Sequence, residues 1–115
     1  MRRYLLSTIM FFGLTSLALA AGSAPLPPPD PTAKNLTPAQ IQQRALNACI
    51  RTQTPLMAGV GPSQLRTQCA CYARGTVRSM TRAEIQAFRD TGYFSDSARE
   101  KALAQIDRCG LRRPV

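Results

Sequence analysis

Four cysteines, Cys49, Cys69, Cys71 and Cys109, in a chain of 115 residues that has no histidine set the tightest limit on what this sequence can fold into. An even count, with no imidazole to complete a mixed metal site, reads as a disulfide framework if the chain is bound for an oxidising compartment. The N-terminus supplies that address. Arg2 and Arg3 precede an apolar run from Tyr4 to Leu19, broken by Ser7, Thr8, Gly13, Thr15 and Ser16, and small residues stand at Ala18 and Ala20. This is a signal-peptide layout, with cleavage expected after Ala20. An uncut membrane anchor is the competing reading, but the run is short for the roughly 20 apolar residues of a span. No cysteine follows the small residues for lipid attachment. Twin-arginine export would carry cargo folded in a reducing compartment, where bridges rarely form. The expectation is general secretion to the periplasm or beyond, with no membrane span left after cleavage.

Residues 1–20 are thus expected to be a signal peptide, 21–35 a Pro-rich disordered linker, 36–111 a disulfide-bonded helical domain and 112–115 a basic tail. Pro25, Pro27, Pro28, Pro29 and Pro31 favour extended polyproline geometry in the linker, as in a semi-rigid spacer. The folded remainder buries too little apolar surface to outweigh chain entropy comfortably. Two bridges closing loops of roughly 20 to 40 residues would each contribute about 3 to 4 kcal/mol.

Helix signals recur along that remainder. Thr37, Pro38 and Gln40 form a capping box with proline at the first helical position, and Leu36 with Ile41 a hydrophobic staple. Ile41, Ala45, Ala48 and Cys49 then recur at helical spacing, predicting a helix to about Thr52. Pro55, Gly59, Gly61 and Pro62 break the chain before a second helix that runs to about Met80. Its buried face is read as Leu65, Cys69, Tyr72, Ala73, Thr76 and Met80. Cys71 is turned about 200° from Cys69 on such a helix, so the two sulfurs leave opposite sides. The second helix is therefore expected to be central, tied to the first on one flank and to the last on the other. Three connectivities are open to four cysteines. The face argument favours Cys49 with Cys69 and Cys71 with Cys109. Gly75 is read as a site where a neighbouring backbone approaches closely. Thr81 with Glu84, Met80 with Ile85, and Gly92 bound a third helix, and Ser97 with Glu100 give the expected start of a fourth, whose inward stripe is Ala98, Ala102, Ile106 and Cys109. No segment alternates like a strand, so the expected fold is an all-α bundle of about four helices stapled by two disulfides.

Catalysis finds little support in these residues. There is no histidine to serve as general base, the six carboxylates are scattered, and no catalytic residue, metal ligand or cofactor is assigned. A metal or redox factor using the Cys69-Ala70-Cys71 pair is an alternative that needs those thiols free, or paired with each other, which a regular helix forbids. Charge is the remaining signal. Residues 21–115 carry thirteen Arg and Lys against six Asp and Glu, a formal +7, and eleven of the thirteen are arginine. Such an excess attracts an acidic protein partner or an envelope polyanion. Nucleic acid is not expected, since no reader motif appears. Arg74 and Arg78 lie one turn apart, and Tyr93 and Phe94 sit at a corner between helices rather than mid-helix. These four are the candidate partner-binding residues. Tyr72 and Phe88 read as core.

The first-helix cysteine, the run Cys69-Ala70-Cys71-Tyr72-Ala73-Arg74-Gly75 and the final Cys109 resemble small secreted four-cysteine helical proteins of bacteria. More distantly the pattern is similar to the Rap1a/Tai group of periplasmic immunity proteins, with Cys69, Tyr72 and Gly75 in the places of that group's cysteine, tyrosine and glycine. Cys71 departs from it, standing where the group has glycine, and the group's Cys-Ile-Pro segment is missing. The resemblance implies binding without catalysis, as in neutralisation of a delivered toxin; service as an accessory subunit of an envelope complex is a further expectation for such a binding module.

Overall fold

Each helix of the computed structural model, which describes residues 26–114, begins at a hydroxyl or a proline. The four are α1 (Pro38–Leu56), α2 (Pro62–Ser79), α3 (Arg82–Thr91) and α4 (Asp96–Arg108), and the described residues contain no strand. The signal-peptide reading lies outside them. In α1 the capping box closes both ways, Gln40 N–H donating to Thr37 Oγ1 at 3.2 Å and Thr37 N–H to Gln40 Oε1 at 2.8 Å. The box of α3 does the same through Thr81 and Glu84, at 3.1 and 2.8 Å. These bonds satisfy amide donors that a helix start would otherwise leave unpaired.

Two helix boundaries differ from expectation. α1 runs through Pro55 to Leu56 instead of stopping near Thr52. A proline inside a helix deprives the carbonyl four residues back of its donor, but that residue, Arg51, is exposed, as is Pro55 itself. Water can serve the orphaned carbonyl. The start of α4 is Ser95, whose hydroxyl accepts from Ala98 N–H at 3.4 Å, and the Ser97–Glu100 box does not form. Ser97 is drawn elsewhere: its hydroxyl donates to Glu84 Oε2 at 2.8 Å.

α2 is central. It packs along α1 on one side and α4 on the other. Cys69, fully buried, bridges to Cys49, and Cys71, exposed, bridges to Cys109, with Cα atoms 5.6 and 5.9 Å apart. The pairing is the one the 200° offset favours. Around the first bridge pack Leu65, Ile106 and Leu111; a second apolar cluster of Ile41, Val77 and Phe88 lies toward the other end. At Gly75 the close neighbour is a side chain, not a backbone: an added Cβ would collide with the Gln105 amide of α4.

The folded unit extends past both expected limits. Residues 30–35, assigned above to a disordered linker, are ordered. Asp30 caps a 3-10 turn, Pro31–Ala33, by accepting from Thr32 N–H at 2.9 Å, and its own N–H donates to Thr91 O at 2.9 Å. Ala33 is completely buried. A count of prolines overlooked the capping chemistry of Asp30. The expected tail is likewise held. Gly110 (φ 72°) lets Leu111 N–H reach Ile106 O at 3.0 Å, a Schellman closure whose two apolar residues share one cluster. Gln53, 1% exposed, then grips the Arg112 backbone in both directions, at 2.7 and 3.1 Å. Arg113 forms a forked ion pair with Asp107 at 2.9 and 2.6 Å.

Glu84 joins three helices. Its carboxylate caps α3, accepts from Ser97 of α4, and meets Lys101 Nζ at 2.5 Å, while the same ammonium donates to Ser79 O at the end of α2. The Lys101 hydrogen bond, followed by those from Thr81 and Ser97, holds the carboxyl at about 2, well below its ordinary 4.5.

Two outcomes follow. Under graded dithiothreitol with mass mapping of alkylated cysteines, Cys71 and Cys109 should be labelled before Cys49 and Cys69, because a thiolate can reach the exposed Cys71 sulfur and not the buried pair; simultaneous labelling would contradict this. A carboxyl whose value is depressed on folding stabilises the fold above its unfolded value, and that contribution fades as pH falls through the folded one. For Glu84 the window is from about 4.5 down to about 2. Glu84→Gln should therefore lower the Tm at pH 7 and flatten its decline across that window, as followed by circular dichroism.

Candidate functional site

Four residues, 92–95, turn the chain from α3 into α4 and hold the two aromatics that sequence placed at a corner. Gly92 takes the left-handed conformation (φ 86°) and its N–H closes α3 on Phe88 O at 2.7 Å. A Cβ there would also lie 2.6 Å from the Cβ of Asp30, so space as well as φ demands glycine. Tyr93 N–H then donates to Thr91 Oγ1 at 3.2 Å, and Ser95 caps α4. Between them Phe94 leans on buried Phe88, ring centroids 5.4 Å apart and planes at 50°. The corner is thus held at several points, and both aromatics stay partly exposed.

It faces a groove. α1 and α4 are tied to opposite flanks of α2 and make few contacts with each other, so the space between them stays open. The opening is about 650 Å³, floored by Ala48, Tyr72, Ala102 and Ile106 and walled by Tyr93, Phe94 and Leu103, with Leu26 and Pro27 at its mouth. Small side chains at Ala48 and Ala102 make the room. A second cleft of about 550 Å³ shares Ala48, Tyr72, Tyr93 and Phe94 and continues past Arg44 and Arg51. Burial pushes the Tyr72 phenol above its ordinary 10, so at neutral pH it is a protonated donor. Basic groups stand along the rim: Arg51 and Arg99 are exposed and form no ion pair among the described residues, whereas Arg44 pairs with Asp30 at 3.0 Å. The Asp30 carboxyl lies below its ordinary value, first through the Thr32 hydrogen bonds and then through Arg44.

Sequence grouped four residues as one contact surface, and the structure separates them. Tyr93 and Phe94 line the groove. Arg74 and Arg78 are exposed and line neither cleft. They are turned about 200° and 240° from Tyr72 around α2, on its far side. All four cysteines are consumed in the two bridges, so Cys69 and Cys71 do not act as a joint thiol pair. Tyr72, read as core, is half-buried and open to both clefts, and Leu103 was missed because it lies just off the α4 stripe. Alanines on the inward stripes of α1 and α4 were the available signal.

Apolar area, two phenols and flanking guanidinium groups equip the groove to hold a ligand by shape and by donated hydrogen bonds. Comparison of the chain with protein-family models, with curated proteins and with solved structures finds no match.

Gly92→Ala should destabilise the fold by about 1 to 3 kcal/mol, from a left-handed alanine and its collision with Asp30. Urea denaturation checks it, and a midpoint unchanged from wild type would mean the corner is not held as described.

Proposed function

We propose that this chain is an exported, non-catalytic protein-binding module, and that the groove between α1 and α4 is its docking surface. The observation that carries the reading is a solvent-open apolar trough on a rigid, crosslinked frame, with Tyr72, Tyr93, Phe94 and Leu103 presented together. Aromatics set in a concave apolar patch beside arginine are the usual anchors of protein interfaces. The bridges support an oxidising destination, the periplasm or outside the cell, and no helix among the described residues is long and apolar enough to cross a membrane. A toxin-neutralising role and an accessory role in an envelope complex both fit such a module. The exposed arginines of α2 favour a second reading, an envelope polyanion held on the opposite face.

Capture from a periplasmic extract separates the two surfaces. Leu103→Glu places a charge in the groove wall, and the double variant Arg74→Ala/Arg78→Ala strips the far face. Recovery of a partner should fall at least about tenfold with the first, as expected for losing an interfacial anchor, and stay near wild type with the second. The opposite pattern would move the site to the α2 arginines. Unchanged Tm and intact bridges in both variants guard against misfolding as the cause.

A further inference from the structure

The segment that precedes the helices touches the corner at two points. Tyr93 Oη donates to Pro27 O at 3.3 Å, and Asp30 N–H donates to Thr91 O at 2.9 Å. Both bonds hold one short stretch, and three consecutive prolines with trans peptides confine it to extended, polyproline-like backbone. Pro27, Pro28 and Pro29 are all exposed. The corner therefore already holds one turn of polyproline-like chain. That turn reaches only the rim, since Leu26 is 78% exposed, and the floor and far wall at Tyr72, Leu103 and Ile106 lie beyond it.

Polyproline II leaves its carbonyls without internal hydrogen bonds and its pyrrolidine rings outward, and aromatic-lined grooves with donor groups recognise it through both. The groove has these parts: apolar walls, the aromatic rings of Tyr72, Tyr93 and Phe94, and a phenolic donor on Tyr72. A strand stiffened by proline loses little conformational freedom on docking, which suits an open trough better than a flexible peptide would.

We propose that the groove binds a proline-rich segment of another protein in the polyproline II conformation, a proposal that rests on the groove being the docking surface. The bound strand lays its rings against Tyr72, Phe94 and Leu103 and accepts a hydrogen bond from the Tyr72 phenol, as Pro27 already accepts the one proton Tyr93 has to give.

Fluorescein-labelled decaproline titrated with the purified protein, followed by anisotropy, tests this, with a glutamate-rich amphipathic helical peptide as comparison. Decaproline should saturate below roughly 1 mM. Tyr72→Phe, which removes one hydroxyl and no ring, should weaken it about threefold to tenfold, and Leu103→Glu should abolish it, both at unchanged Tm. Absence of saturation, equal affinity in the two variants and wild type, or tighter binding of the helical peptide would each overturn the proposal. Should decaproline fail while Leu103→Glu still strips the partner captured from extract, the docking surface stands and the polyproline ligand does not.

Discussion

The angle between two neighbouring cysteines governs this molecule. One intervening residue on a helix turns Cys71 about 200° away from Cys69, so the pair cannot close on itself and each sulfur must look to a different helix. The bridges to Cys49 and Cys109 span 20 and 38 residues of sequence. They fasten α1 and α4 to opposite flanks of α2, and that spacing holds the outer helices apart. The groove follows from the crosslinks: a bundle with both bridges on one flank of α2 would let α1 and α4 collapse together and close the trough.

Local chemistry was legible in the sequence and distant chemistry was not. Capping boxes at Thr37 and Thr81, the glycine stops at Gly92 and Gly110, and the stripe of Ala98, Ala102, Ile106 and Cys109 depend on residues a few positions apart, and the helices form where those signals stand. Ser97 shows why the same reasoning fails next door. It has the right neighbour to form a box, yet its hydroxyl goes to Glu84, thirteen residues earlier, because α3 and α4 meet there. Gln53 and Arg112, 59 positions apart, are out of reach of any periodicity argument.

The candidate site was half visible. Tyr93 and Phe94 stood out because a corner between two helices is an odd place to spend two aromatics. Arg74 and Arg78 stood out because of charge, and charge carries no information about which face it shares with what. Tyr72 was taken for core because it lies on the apolar side of α2; only the absence of close packing between α1 and α4 leaves it exposed to the trough. Openings between helices are properties of the assembly, and a pattern read one helix at a time does not contain them.

The grip of Gln53 on the backbone of Arg112 bears on the order in which the molecule can be finished. An amide in the fifth turn of the first helix stays unsatisfied until a segment near the other end of the sequence arrives, and the bridge at Cys109 waits for the same stretch. A chain made N-terminus first would then hold its early helices in a provisional state. Both fasteners draw on residues 109 to 112, so neither can form before that stretch is available.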